Sequence, residues 1–385
     1  MKLIQYGAGN IGRSLAGQLF SAAGWEVVFV DVVQEVIEAL DREGRYRVVV
    51  KEERPDEIWV EGVRGVNGRD VDRVAEEIAD CDLLSTAVGS KVLPHIAGPI
   101  AKGLEKRNKP LDIVLCENLR GAPELMKSYL RQHLPADFPI EDRVGLIATS
   151  IGKMVPIMPP EVREVDPLEV WAEAYNQIIA DREGFIGEIP KVEGLVVHGC
   201  FEAYVDQKLF VHNMGHAVSA YLGDRVGAVT ISEAMGHEDI ARTTQLAMEE
   251  SGKALVSLYS QELDQPSMQA YIDDLIHRFK NPALGDTVYR VGRDRMRKYA
   301  PEDRLVGSLK AQRTAGIDST HTLKGLAAGL LFSAADPSGE RLESDLEFER
   351  IFKEKGAKGV LIEVCDLDPI ADSEWFGRVE ELLAT

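Results

Sequence analysis

The sequence predicts an α/β protein: a doubly wound parallel sheet followed by a mostly α-helical C-terminal domain. Two observations carry this. Strand-like and helix-like segments alternate up to about residue 150, the pattern of a parallel sheet with crossover helices. After about residue 190 the alternation fades and long helical patterns take over. A chain of 385 residues is also too long for one ordinary core, so two domains are expected, 1–190 and 191–385.

The first strand is KLIQY, residues 2–6. It runs into Gly7-Ala8-Gly9-Asn10-Ile11-Gly12, then a segment of helical spacing that stops at Gly24. A second strand, WEVVFVD, ends at Asp31. This is the order of a Rossmann dinucleotide site. Gly7 permits the tight turn, Gly9 lets backbone approach a pyrophosphate, and Gly12 lets the helix pack on the strand. The start of the helix offers N–H groups and partial positive charge to phosphates. Asp31, 19 residues after Gly12, stands where a carboxylate would accept from the adenosine ribose hydroxyls. The same charge would repel a 2′-phosphate, so NAD is expected in preference to NADP. A lone glycine motif is weak; strand, helix, strand and terminal acid together are specific.

Residues 32–46 read as helix, and 46–50 with 56–63 as a hairpin-like insertion around a charged, proline-containing turn. An exposed helix over 70–80 leads into CDLLSTAVG, a buried strand. Its end places Thr86 and Val88 where open parallel sheets bind ligands. A helix over 91–106 precedes LDIVLCENLRG, a strand ending in Glu117 and Asn118. Asn118 is a cofactor-site candidate; ordinary loop capping explains the pair equally well. Strands are also expected at 144–152 and 168–174.

In the second half, helices are expected over 201–222, 231–260, 267–279, 303–311, 321–334, 341–355 and 373–384, with a possible strand at VEGLVVH. The last helix reads as a solvated amphipathic one. The first carries Lys208, His212, Asn213 and His216. At about 100° per residue, these four polar groups share one side of an α-helix, with Asn213 furthest round at about 140° from Lys208. Converging polar groups beside core residues are costly unless they line a site. Oxidising an alcohol needs a base and donors for the oxyanion; Lys208 with a lowered pKa, Asn213 and His216 suit those roles. His212 and His216 also match a helical metal pair, but no further ligand completes it and a lysine shares the face, so no metal is expected.

Between residues 290 and 313 lie eight Lys/Arg and three Asp/Glu. Arg290, Arg293 and Arg297 follow helical spacing on one face, suited to an anionic group, although surface pairing with acids explains them too. The overall charge of −20 argues against nucleic-acid and anionic-membrane partners. No apolar run approaches the ~20 residues of a membrane helix. The N-terminus enters the glycine motif at once, leaving no room for a signal peptide. The four cysteines are widely spaced, which fits a reducing cytoplasm. Cys116 reads as a small buried residue.

Taken together, these segments resemble the polyol-specific long-chain dehydrogenases, the mannitol dehydrogenase family. The similar stretches span nearly the whole chain: YGAGNIGR (6–13), FVDV (29–32), TAVG (86–89), CEN (116–118), KLF..N.GHA..AYLG (208–223), AMEESG (247–252), RF.NP (278–282) and VGR...RK....DRL (291–305). The resemblance implies metal-independent, NAD-dependent oxidation of a sugar alcohol. Lys208 would be the general base, Asn213 an oxyanion donor and His216 a substrate-orienting residue. The segment at 291–305 is similar to the branch acting on phosphorylated substrates. It implies interconversion of D-mannitol 1-phosphate and D-fructose 6-phosphate, with Arg293, Arg297 and Lys298 on the phosphate. The alternatives are another polyol or a sugar acid as substrate, or a dinucleotide-binding module without turnover. A monomer or weak oligomer is expected. Two positions depart from the family pattern. Ala148 stands where relatives often carry Asn or Asp, with Thr149, Ser150 or Lys153 as substitutes, and Arg295 stands where proline is usual.

Overall fold

A computed structural model describes residues 1–384 except Glu53, Ile157, Pro337 and Glu340. The chain divides into two compact units, Met1–Phe201 and Glu202–Thr385.

Among its described residues the first unit has eleven strands: β1 (Lys2–Tyr6), β2 (Glu26–Asp31), β3 (Arg45–Val50), β4 (Asp56–Glu61), β5 (Val63–Asn67), β6 (Leu83–Thr86), β7 (Leu111–Leu115), β8 (Val144–Ser150), β9 (Val170–Ala172), β10 (Ile178–Asp181) and β11 (Leu195–His198). Eight of them form one sheet in the order β11-β10-β8-β7-β6-β1-β2-β5. All neighbours are parallel except β8 and β10. Side chains alternate across a strand, so successive residues serve opposite faces. Leu3, Val27 and Phe29 join one buried cluster with Leu15, Ala16 and Phe20. Ile4, Val28 and Val30 join the other with Val74, Ile96 and Ile100. This is the doubly wound, Rossmann-like architecture expected.

The segments expected at 46–50 and 56–63 form an antiparallel pair, β3 and β4, and Val63 already opens β5 in the main sheet. Residue 53 of the turn lies outside the described residues. The segment expected as a further strand near 168–174 is β9, which pairs with β3 in a separate three-stranded sheet. The unit boundary falls after residue 201, beyond the expected 190/191. The reason is β11, VEGLVVH in the sequence, which pairs in parallel with β10 and so belongs to the first sheet.

The second unit is helical. The stretch expected as one helix over 231–260 is two, Ile231–Gly236 and Glu238–Leu258, parted at His237. A capping box starts the first of these, with Thr230 and Glu233 each satisfying the other's backbone N–H. The helix expected over 341–355 continues to Glu363 through a kink at Gly356, where φ is 67°. The final helix, Ser373–Ala384, buries Trp375, Phe376 and Val379 and leaves its other faces to solvent. Among the described residues no helix is long and apolar enough to cross a membrane.

Candidate active site

In the first unit the glycine loop is shaped by close approach. Gly7 has φ +95°, and a Cβ there would lie 2.4 Å from the Ala87 carbonyl oxygen. A Cβ on Gly12 would lie 2.0 Å from the Gly7 oxygen. Apart from Gly9 itself and its chain neighbours, nothing among the described residues lies within 4 Å of where a Cβ of Gly9 would sit, which leaves room for a ligand at the crest of the loop. Asp31 holds the loop from β2: its Oδ2 accepts from Ala8 N at 2.7 Å and its Oδ1 from Val33 N at 3.0 Å. Each carboxylate oxygen has a further lone pair, so ribose hydroxyls can still be accepted. Asn10 and Ile11 are half-buried at the start of the helix. Gly12–Gly17 is wound as a π-helix. Arg13 is buried beneath the loop, its Nε donating to Ala8 O at 2.8 Å and its Nη1 to Leu168 O at 2.6 Å.

Thr86 is buried at the end of β6, with an Oγ1 that has no hydrogen-bond partner among the described residues. Val88 and Gly89 follow, and both their amides donate to Glu117, at 2.9 and 2.8 Å. Glu117 is therefore the residue that fixes this loop. The sequence placed it beside Asn118, which is exposed. Cys116 is buried, and burial pushes its thiol up to about 12, so it is inert. Beside Ala148, Thr149 Oγ1 donates to Leu115 O at 2.7 Å. Lys153 is buried and donates to Tyr175 O at 2.7 Å. These residues fit a dinucleotide: a loop with an open crest, an acid beside it, and a second loop clamped by Glu117.

In the second unit the expected α-helical face needs correction. Gln207–Asn213 is a π-helix, flanked by α-helices Phe201–Asp206 and Met214–Arg225. Hydrogen bonds from i to i+5 stack residues five apart along the axis. Lys208 and Asn213 are five apart, so the π-turn brings onto one side a pair that an α-helix would separate by about 140°. Lys208 is half-buried, and burial first, then the charge of Arg304, lowers its pKa to about 8.

His216 is half-buried against Phe279, with ring centroids 4.7 Å apart and planes 13° apart. Its Nε2 lies 3.3 Å from Oδ2 of Asp286. Burial lowers the His216 pKa; Asp286 opposes this, while Arg290 and Lys298 add to it. His212 is 4% exposed, its Nδ1 has no partner among the described residues, and burial first, then the nearby charge of Arg278, keeps it neutral. Among the described residues no group of three or more His, Cys, Asp or Glu is placed to hold a metal.

The arginines expected on one helical face do not share a helix. Val288–Gly292 ends at Arg293, and Asp294, at φ 68°, turns the chain into the separate helix Arg295–Lys298. Arg290 pairs with Asp286. Arg293 lies over the Tyr289 ring at 5.6 Å. Arg297 is exposed and pairs with Asp294 and Asp303 at 2.6 and 3.4 Å. Lys298 is 5% exposed, donates to Val291 O, and is lowered to about 7 by burial and by Arg304 and Arg297. Arg295 is fully buried: its Nε lies 3.2 Å from Asp345 Oδ1 and its Nη2 2.6 Å from Glu349 Oε1.

Asp286 and Arg304 were not singled out from the sequence. Each lies far along the chain from Lys208; the only signals were the RF.NP stretch just before Asp286 and the DRL stretch that contains Arg304.

Two halves of this kind, a dinucleotide fold and a lysine brought toward neutrality beside an amide and an imidazole, define a Rossmann-domain dehydrogenase. The family follows from comparison. Residues 1–194 match the mannitol dehydrogenase Rossmann domain and residues 201–364 the mannitol dehydrogenase C-terminal domain, so the chain belongs to the mannitol dehydrogenase family. A mannitol-1-phosphate 5-dehydrogenase of Brevibacillus brevis is 36% identical over 354 residues, 90% of each chain. One from Geobacillus thermodenitrificans is 36% identical over 381 residues, 96% of this chain and 95% of the relative. Among solved structures, a D-sorbitol dehydrogenase in substrate-free form matches with TM-score 0.81 at 18% identity, covering 99% of this chain and 92% of its own. Pseudomonas fluorescens mannitol 2-dehydrogenase, solved with NAD and D-mannitol, matches with TM-score 0.75 at 15% identity, covering 100% of this chain and 91% of its own. These two likenesses speak to the fold.

Proposed function

We propose that this protein is an NAD-dependent oxidoreductase interconverting D-mannitol 1-phosphate and D-fructose 6-phosphate. The observation that carries the reading is the π-turn, which gathers a lysine of pKa about 8 and an asparagine on one side, one turn before His216. The similarity to mannitol-1-phosphate 5-dehydrogenases along both domains supports the substrate.

Residues Gly7 to Gly12, with Asp31, Thr86, Val88 and Asn118, would hold NAD. Bound NAD supplies hydride transfer at C5 of the alcohol, which is C2 of the ketose. Lys208, as the neutral amine, takes the hydroxyl proton; as the ammonium it returns it in the reverse direction. Asn213 donates its amide N–H to the oxygen as charge develops there. His216 orients the substrate. No metal enters this scheme, because Arg278, Lys208 and Arg304 near His212, and Arg290 and Lys298 near His216, carry positive charge that a dication would have to oppose.

Lys298, Arg293 and Arg297 are assigned to the phosphate. Lys298 supports this best: it is buried among like charges, and a phosphate dianion would relieve their repulsion. The pairing of Arg297 with two aspartates favours a second reading, in which the substrate is another polyol or a sugar acid and Lys298 meets a carboxylate. The test is NADH oxidation with fructose 6-phosphate, fructose and a panel of ketoses and keto acids. Strong preference for fructose 6-phosphate is expected. Equal rates on fructose would remove the phosphate from the assignment, and tight NADH binding without turnover would indicate a non-catalytic module. The free cysteines Cys81, Cys116, Cys200 and Cys365 fit a cytoplasmic enzyme, which we place there as a monomer or weak oligomer.

A further inference from the structure

His216 is held from two directions. Phe279 fixes the plane of its ring by stacking, and Asp286 fixes its rotation through Nε2. Asp286 is itself immobile. It is 6% exposed, and its other oxygen, Oδ1, accepts from Arg290 Nε at 2.6 Å and faces Nη2 of the same guanidinium. Its backbone is pinned as well: Asp286 O accepts from Ile231 N at 2.9 Å. The next residue, Thr287, caps the helix Val288–Gly292 by accepting from Arg290 N at 3.1 Å. The carboxylate therefore does not follow the imidazole; the imidazole follows the carboxylate.

This geometry bears on which nitrogen carries hydrogen. A carboxylate ion only accepts hydrogen bonds, so the nitrogen facing it must donate. Asp286 is ionised: burial alone would raise its pKa, but His216 and Arg290 together bring it below the usual range. The charged and titratable groups facing His216 are Asp286, Arg290, Lys298 and His212. Burial and the cations among them outweigh Asp286, and the ring stays neutral near pH 7. A neutral imidazole has one donor and one acceptor. With Nε2 donating to Asp286, Nδ1 is the acceptor.

We propose that Asp286, braced by Arg290, is the positioning residue that locks His216 in its Nε2–H tautomer and makes Nδ1 a hydrogen-bond acceptor for a substrate hydroxyl. The hydroxyl part rests on the reading of Lys208, Asn213 and His216 as a polyol site. The consequence is a division of labour. Asn213 and the ammonium form of Lys208 are donors to the reacting oxygen. His216 takes a hydrogen from a neighbouring hydroxyl, and a carbonyl or fluorine at that carbon has none to give.

The test joins a spectroscopic readout with a kinetic one. In ¹⁵N-histidine-labelled protein without substrate, the His216 signals are assigned by their loss in His216→Gln. They are expected to report a neutral ring protonated at Nε2 at pH 7 and above. In Asp286→Asn the side-chain amide can donate to Nε2, so the tautomer is expected to invert. KM for the sugar phosphate should then rise roughly 10- to 100-fold with a smaller change in kcat, while NADH affinity by fluorescence titration stays at the wild-type value. Arg290→Gln keeps the carboxylate and should keep the wild-type tautomer.

A wild-type ring that is cationic or protonated at Nδ1 would overturn the lock, even if the buried Asp286→Asn variant fails to fold. An inverted tautomer with unchanged KM would overturn the hydroxyl contact. Absence of wild-type turnover on every sugar, with the tautomer as expected, would refute the polyol reading and the hydroxyl contact with it, and leave the lock standing.

Discussion

The two units each contain a π-turn, and comparing them separates packing from chemistry. In Gly12–Gly17 every residue is buried. The widened turn there accommodates Tyr46, whose hydroxyl donates to Arg13 O at 2.6 Å, and a Cβ on Gly17 would lie 2.5 Å from that same hydroxyl. In Gln207–Asn213 only Phe210, Val211 and His212 are buried, while Lys208 and Asn213 remain half-exposed. The first π-turn serves a neighbour in the core. The second re-aims two polar side chains. A backbone irregularity of this kind is frequent at functional sites, but its meaning is read from which side chains it moves.

Substitutions should bring this difference out. The largest effect is expected for Lys208→Ala, which should lower kcat by roughly 10²- to 10⁴-fold and leave NADH affinity intact; a surviving rate in steady-state assays would show that the second π-turn does not carry the base. The same residue predicts opposite pH profiles in the two directions. Alcohol oxidation needs the neutral amine, so its rate should rise as pH passes about 8; ketone reduction needs the ammonium and should fall over the same range. Asn213→Ala should cost roughly 10²- to 10³-fold in kcat, the loss typical of one oxyanion donor. A mere rise in KM would place Asn213 on ground-state binding instead.

On the other side of the comparison, Asp31→Ala should lower the NAD over NADP preference by about 10-fold or more, the worth of hydrogen bonds to a charged group; unchanged ratios of kcat/KM would remove Asp31 from the ribose. Gly17→Ala should cost about 1–3 kcal/mol of stability by overpacking, partly recovered by adding Tyr46→Phe. Thermal melts check this, and a loss of kcat at unchanged Tm would make the first π-turn functional too.

Much of this was legible in the sequence, for physical reasons that also mark the boundary. The glycine loop, β1, β2 and Asp31 are local, and each residue type has a steric or electrostatic reason to stand where it does. The residues Lys208, Asn213 and His216 were found by spacing and resemblance, yet their helix type was misread. A helical pattern of apolar residues looks the same whether one extra residue widens the turn or not. Asp286 escaped because an aspartate in a turn has many ordinary uses, and its bond to His216 is long-range. The basic stretch misled for the opposite reason. Charge spacing suggested one face, but Asp294 in the left-handed region breaks the helix there, and Arg290, Arg295 and Arg297 each meet acids.

Arg295 carries a consequence for how this lineage can vary. Its backbone N–H donates to Asp345 Oδ1 at 2.9 Å, in addition to its guanidinium contacts with Asp345 and Glu349. Proline at this position would have neither the N–H nor the charge. Replacing Arg295 alone would leave a buried carboxylate without its counter-ion, a loss of about 3–5 kcal/mol. The two positions are therefore epistatic. Chains with proline at 295 should carry a neutral residue at 345, and an evolutionary path between the two states has to change Asp345 before or together with Arg295.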